Sequence, residues 1–397
     1  MSSAGGDAIL IAAQAGRALA EAARRAGLRP YVADLFGDED TRALSAGYRR
    51  VPGRFGSGPG GRAVRDALDA LAAEAGGAPL GLVLGSGFEG APGLMAALAG
   101  RHRLLGAAPA CVAALKDPLA LAALCARLGL PHPEIRLAPV ADPSGWLDKA
   151  AGASGGGHVR PAAPGRLAPG RYLQRRVPGA PRSLALLADG HRIQVLGATE
   201  QWTAPTPRHP FRYAGALAPG ALDPGALADG VREAAATALA ALAAATGLRG
   251  LASADLMVDG PDWWLLEVNP RPGATLDVLD RRATPLLRRH VEAALGRLSP
   301  LDPDPPGAAA SEIVYAARTI PASPALPRDG VADRPPPGSR IPAGAPVCTV
   351  RAADADAGAA RRALTTRAEA VRAVLAGPGT VHPSRIATGP RLQGDTP

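Results

Sequence analysis

Residues 255–273 read Asp255-Leu-Met-Val-Asp259-Gly-Pro-Asp-Trp-Trp-Leu-Leu-Glu267-Val-Asn269-Pro-Arg271-Pro-Gly273. Two apolar runs flank Gly260-Pro261-Asp262, whose chemistry is that of a turn, so the stretch is expected to form a β-hairpin with a three-residue loop. That register sets Asp255 across from Glu267 and puts Asn269 two residues further along the same face. Like charges placed opposite each other repel unless something neutralises them. Two carboxylates and an amide oxygen are the hard oxygen ligands that Mg²⁺ takes, which makes Asp255, Glu267 and Asn269 candidate metal ligands. An ordinary amphipathic hairpin with its acids in water would show the same spacing. Composition favours the metal platform: Asn269 is the only asparagine, and Lys116 and Lys149 are the only lysines although Lys+Arg totals 44. Where a chain has replaced Lys by Arg almost throughout, the surviving lysines mark places where a compact point charge is needed.

These residues carry a family resemblance. Glu267-Val-Asn269-Pro-Arg271-Pro-Gly273, with Asp255 twelve residues earlier, resembles the metal-binding end of an ATP-grasp enzyme. Its continuation to Asp277 is most similar to ATP-dependent carboligases, among them tyramine–glutamate ligase of methanofuran synthesis and ATP-grasp proteins of methanopterin-linked one-carbon metabolism. The resemblance covers roughly residues 105 to 295. It implies an α/β (α+β) fold in three parts: a Rossmann-like pre-grasp domain over 1–108, an ATP-grasp domain over 109–299, and a small β-rich C-terminal domain over 300–397. It also implies ATP and Mg²⁺ (or Mn²⁺) as cofactors.

Composition bounds the alternatives. A chain of 397 residues is too long for one compact core. The apolar fraction is 47% but aromatics only 3%, so Leu and Val do most of the packing. The net charge of +9 suggests a nucleic-acid partner, yet the arginines are scattered and no basic run is interleaved with aromatics. Solvated faces written with Arg account for the charge, and no nucleic acid is expected. Three cysteines, Cys111, Cys125 and Cys348, are too few and too distant for zinc or a disulfide framework, which suggests buried thiols in a reducing, cytoplasmic setting. No basic segment precedes the first apolar stretch, so no signal peptide is expected. The most apolar segment, 234–248, is shorter than a membrane span, and no membrane partner is expected.

From the N-terminus, strand 8–12, an alanine-rich helix and strand 31–34 form a parallel α/β unit. A second unit starts at Leu82-Val-Leu-Gly-Ser-Gly-Phe88-Glu89. Its Gly-Ser-Gly lacks the full dinucleotide spacing and serves better as a tight turn. The family places a second-substrate wall here, which makes Ser86, Phe88 and Glu89 substrate contacts by resemblance. Residues 110–130 read as one helix, with Lys116 near its start and Gly129-Leu-Pro131 as its stop; the resemblance puts Lys116 on the nucleotide phosphates. Lys149 precedes a Ser/Gly-rich loop, Ser154-Gly155-Gly156-Gly157, that offers backbone N–H groups and one cation to a polyphosphate. Such runs are also flexible linkers, but the family places its second ATP lysine and its glycine loop here. By the same likeness Gln174 and Val177 meet the adenine. The family's ribose glutamate is replaced by Pro181 and Arg182, which leaves ribose binding unassigned. Residues 201–215 gather Trp202, Arg208, His209, Phe211, Arg212 and Tyr213, either a substrate wall or a loop packed on its own rings. Helices are expected over 223–248 and 284–298, a proline linker over 300–306, β-like alternation over 310–350, a helix over 354–375 and a disordered end.

The activity that this resemblance implies is ATP-dependent ligation of a small-molecule carboxylate to an amine through an acyl phosphate. Lys149 and Arg271 would serve the chemistry, the Arg271 guanidinium gripping the carboxylate or acyl phosphate with Thr275 beside it. A biotin-type carboxylase, a small-molecule kinase and a non-catalytic nucleotide-binding regulator share the same nucleotide site, and a homodimer is left open.

Overall fold

The computed structural model describes residues 7–220 and 227–377. The expected start of the long helix at 223–226 and the expected disordered end beyond 377 lie outside the described residues.

Parallel strands Gly47–Arg50, Arg29–Asp34, Ala8–Ala13 and Leu82–Leu84 lie side by side in that order. Strand Ala8–Ala13 is buried along its whole length, as its uninterrupted apolar run requires of a strand covered on both faces. An antiparallel sheet follows, with strand Arg171–Arg175 between Ile135–Arg136 and Trp146–Ala150 and a short edge at Arg160–Pro161. The third sheet has eight strands. It runs from Asp262–Asn269 through Arg249–Asp259, Ala180–Asp189, Ile193–Thr203 and Tyr213–Ala218 to Ala308–Tyr315, Pro346–Asp354 and Val331–Ala332. The expected boundary at residue 300 therefore falls within a continuous sheet, not between two. Helix Ala357–Ala376 closes the far end over these last strands.

Two helical expectations are corrected. Residues 110–130 are two helices, Pro109–Lys116 and Pro118–Leu128, bent by 85°. Pro118 disfavours helical backbone at the residue before it. Asp117 is accordingly extended and caps the second helix by accepting from the Ala120 N–H at 2.8 Å. Lys116 thus ends a helix instead of starting one. The helix expected at 284–298 is shorter, Leu286–Ala294. Among the described residues no single helix is long and apolar enough to cross a membrane.

Helix Leu286–Ala294 carries a pin that positions the hairpin. His290, 1% exposed, accepts from the Leu251 N–H through Nδ1 at 2.8 Å and donates through Nε2 to the Leu105 carbonyl at 2.9 Å. One imidazole thereby joins the N-terminal unit to the strand that holds Asp255. Gly250, at φ +85°, must be glycine, since a Cβ there would lie 2.6 Å from the ring. Burial lowers the His290 pKa to about 4, so the ring is neutral, as its two bonds require.

The unfolded chain takes up a proton at His290 below about pH 6.5, whereas the folded one does so only near 4. The contribution of this histidine is therefore present above pH 6.5 and is lost as the pH falls from there towards 4. His290→Ala should cost about 2–4 kcal/mol in urea unfolding at pH 7.5, with a smaller deficit at pH 5. An equal deficit at both pH values would contradict the assignment.

Candidate active site

The hairpin pairs strands Arg249–Asp259 and Asp262–Asn269, and Asp255 faces Glu267 with Asn269 opposite Ser253. The register is the expected one, but the route to it differs. Asp259 pairs with Asp262, so the loop has two residues, with Gly260 at φ +56° supplying the positive φ that a tight hairpin turn demands. Counting from that turn alone would set Asp255 against Leu266. A β-bulge adds one residue: Leu256 pairs with Leu265, Leu266 is left unpaired, and the pairing resumes at Asp255 and Glu267. Without the bulge Glu267 would point to the other face of the sheet. The freed Leu266 carbonyl accepts from Gln174 Nε2 at 3.3 Å.

Around the two carboxylates the polar groups form a chain. Ser183, on the neighbouring strand, donates to Asp255 Oδ1 at 2.8 Å, and Asn269 Nδ2 donates to Asp255 Oδ2 at 3.0 Å. Lys116 Nζ donates to Asn269 Oδ1 at 2.9 Å and stands 3.5 Å from Glu267 Oε2. The ammonium thus stands between the asparagine oxygen and the Glu267 carboxylate. Burial, then the neighbouring Glu267, raises the Asp255 pKa to about 7 against the Ser183 hydrogen bond. Burial acts upward on Glu267 as well, but Lys116, Lys149 and His158 outweigh it and hold Glu267 low. The two acids are thus pushed apart, Asp255 upward by burial and by its neighbour and Glu267 downward by the cations around it. Among the described residues no three His, Cys, Asp or Glu side chains gather as a metal cluster; this set is two carboxylates and an amide.

Lys149 lies in strand Trp146–Ala150, buried, with Nζ 3.0 Å from Gln174 Oε1. Its neighbour Asp148 is gripped by Arg160 and Arg171. Gln174 is 2% exposed and spans Lys149 and the bulge, while Val177, half-buried, lies just beyond the end of its strand. The loop Ser154-Gly155-Gly156-Gly157 leads from Lys149 to His158. Burial lowers the His158 pKa to about 4 despite the pull of Glu267, and its buried Nδ1 has no hydrogen-bond partner.

On the other side, Arg271 Nε donates to Glu89 Oε1 at 2.8 Å, and Glu89 Oε2 accepts from the Gly87 N–H at 2.6 Å. Burial pushes Glu89 upward, but Arg271 and Lys116 overcome it and keep the carboxylate ionised. Arg271 lines two small, mostly apolar clefts. Phe88 and Met95 line the first, and Thr275 and Leu276 the second. Ser86 contributes only its carbonyl, to the Gln14 N–H at 2.9 Å. Arg182, where the family has its ribose acid, lies 4.0 Å from Glu200.

The 201–215 cluster does not act as one wall. The Trp202 indole donates to Glu312 at 3.3 Å and lies under Arg361, and Arg212 stacks on Tyr315 at 3.6 Å; both face the C-terminal strands. His209 and Tyr213 turn instead to the glycine loop. Sequence reasoning missed Ser183, His158 and a buried tie: Arg17 grips Asp277, eight residues past Asn269, and Asp333. A serine in a strand and charges hundreds of positions apart carry no local signal.

The ATP-grasp domain family matches residues 121–275. No curated protein matches the sequence. Several solved structures share the fold at low identity. The biotin carboxylase domain of Hydrogenobacter thermophilus 2-oxoglutarate carboxylase, solved as a dimer with MgADP, ADP and bicarbonate, has a TM-score of 0.69 at 13% identity over 91% of this chain and 89% of its own. The L-amino acid ligase from Bacillus licheniformis gives 0.66 at 15% over 91% and 97%. Carboxyaminoimidazole ribonucleotide synthase from Asperigillus clavatus, with ATP bound, gives 0.65 at 12% over 92% and 100%. With its parallel N-terminal sheet, its antiparallel sheet bearing Lys149 and its carboxylate hairpin, the chain has the fold of these ATP-grasp structures, and residues 121–275 match the ATP-grasp domain family.

Proposed function

We propose that the chain is an ATP- and Mg²⁺-dependent ligase that joins a carboxylate to an amine through an acyl phosphate. One observation carries the reading: a partly buried carboxylate pair, with an asparagine oxygen beside it, has a buried lysine ammonium against it and a second buried lysine followed by a glycine loop. Keeping two acids opposed in a partly buried site is unfavourable unless a cation compensates them. Their oxygens and Asn269 Oδ1 are donors of the kind Mg²⁺ prefers. Bound there, Mg²⁺ supplies neutralisation of charge on the terminal phosphates.

In this reading Lys149 and the backbone of 154–157 hold the phosphates, with Gln174 and Val177 at the base. Lys116 leaves Asn269 for a phosphate oxygen and opposes charge as the γ-phosphoryl group moves. Arg271, its Nε held by Glu89, presents its remaining N–H groups to the substrate carboxylate. A carboxylate oxygen attacks the γ-phosphorus and ADP leaves; the amine then attacks the acyl carbon, phosphate leaves, and the nitrogen gives up a proton. The apolar clefts beside Arg271 would take the substrate bodies. The likeness of residues 269–277 is what supports methanofuran- or methanopterin-type cofactor synthesis as the setting. The proposed partners are small molecules, with a homodimer as the assembly.

ADP release from ATP and Mg²⁺ across a panel of carboxylates and amines, including glutamate with arylalkylamines, is the test. Release should require both a carboxylate and an amine and should vanish in Glu267→Ala. Turnover with bicarbonate or an alcohol alone would replace the ligase by a carboxylase or kinase, and binding without turnover would leave a regulator. Lys116→Met should lower kcat by about 100-fold or more while the protein stays folded, the loss of a charge contact worth about 3 kcal/mol in the transition state. A near-normal kcat would remove Lys116 from the mechanism.

A further inference from the structure

The glycine loop is held from outside the antiparallel sheet that carries it. The Tyr213 N–H donates to the Gly155 carbonyl at 3.0 Å, and His209 Nδ1 donates to the Gly157 carbonyl at 2.7 Å. Between them Gly156, at φ +70°, lies so close that a Cβ would sit 2.1 Å from the Phe211 carbonyl oxygen. The segment that makes these contacts is itself anchored. Ala204 and Arg212 close it through an N–H···O bond of 2.8 Å, and Arg212 Nε returns to the Ala204 carbonyl at 3.1 Å. Arg212 Nη1 reaches the Gly344 carbonyl at 3.0 Å, its guanidinium stacks on Tyr315, and the Tyr315 hydroxyl donates to the Tyr213 carbonyl at 2.8 Å. Tyr315 and Gly344 both belong to the chain beyond residue 300.

We infer that residues 204–213 are a catch for the glycine loop, that the C-terminal strands hold the catch in place, and that His209 is a positioning residue acting through Gly157. The inference rests on the reading of 154–157 as a phosphate loop. A run of glycines loses more backbone freedom on ordering than any other sequence. A loop meant to close over phosphates therefore needs a partner to offset that loss. The catch meets it with backbone atoms and one imidazole, and the steric fit at Gly156 accepts no side chain. The C-terminal strands thereby gain a part in nucleotide binding without touching the nucleotide.

The experiment compares wild type, His209→Ala, His209→Asn and Tyr315→Phe in two measurements. The first is KM for ATP and kcat with Mg²⁺ present; the second is hydrogen–deuterium exchange of peptides covering 154–158 with and without MgATP. An asparagine amide N–H takes the place of the histidine Nδ1–H. His209→Ala should raise KM for ATP roughly fivefold, the worth of one hydrogen bond, with little change in kcat and faster exchange of the loop in MgATP. His209→Asn should restore both. Tyr315→Phe should move both in the direction of His209→Ala while leaving the melting temperature in place, and it decides the matter if His209→Ala folds poorly. Unchanged KM and loop exchange in His209→Ala and Tyr315→Phe would overturn the catch while leaving the nucleotide reading intact. A wild-type protein that binds no MgATP would overturn the nucleotide reading and the catch with it.

Discussion

Two carboxylates, Asp255 and Glu267, face each other, partly buried, across one rung of a β-ladder, and much of the surrounding structure keeps that arrangement tolerable. The cost of opposing acids at short range grows as the effective dielectric falls. The chain meets it with Ser183 and Asn269 donating to one acid and Lys116 standing beside the other. Placing those groups needs a strand on the inner side of the hairpin, a helix that stops at residue 116, and a bulge that turns Glu267 to the right face. Each is a local feature with a local cause, and they converge on one spot. The rung therefore acts as a constraint on the fold as well as a site within it.

The hairpin was legible because its signals are local: alternating apolar residues, a Gly-Pro turn and acids at a fixed interval. Its register emerges from two departures that cancel, since a loop one residue shorter than the turn triplet suggests is made up by the bulge at Leu266. Periodicity cannot see such a bulge, because nothing in Leu265-Leu266 separates a paired residue from an extra one. Scarcity proved a sound guide to proximity: Lys116 and Asn269, 153 positions apart, are in direct contact. The break at Asp117-Pro118 could have been read from the proline alone, and a continuous apolar run masked it. The partners with no local trace are those whose meaning depends on distant chain, such as Ser183 against Asp255, Glu89 against Arg271 and His290 between Leu105 and Leu251.

Arg17 shows how far such ties reach. Its guanidinium, 3% exposed, uses its planar fork on Asp277 and Asp333, 260 and 316 positions away. A buried pair of this kind is weak evidence for stability, because desolvation consumes most of the attraction, but it is demanding in geometry. Through Asp277 it orients the segment that follows Arg271, and through Asp333 it brings the C-terminal chain against the first helix. Glu21 and Arg351 extend the same network. The position of the Arg271 segment is thus referenced to both ends of the described chain.

The eight-stranded sheet gives this dependence a mechanical form. Strand Tyr213–Ala218 has strand Ile193–Thr203 on one side and Ala308–Tyr315 on the other, so the chain after residue 300 supplies the ladder that closes its outer edge. Cut the polypeptide at the linker, and that strand would present a row of unpaired N–H and C=O groups, with Ala216 and Leu217 among them, to any other chain in solution. A domain boundary that looks natural in the sequence is, in the sheet, a seam that prevents edge-to-edge association. The two halves share a fate in folding and in evolution: insertions and fusions are tolerable at the linker only while the last strands still find their place beside residues 213–218.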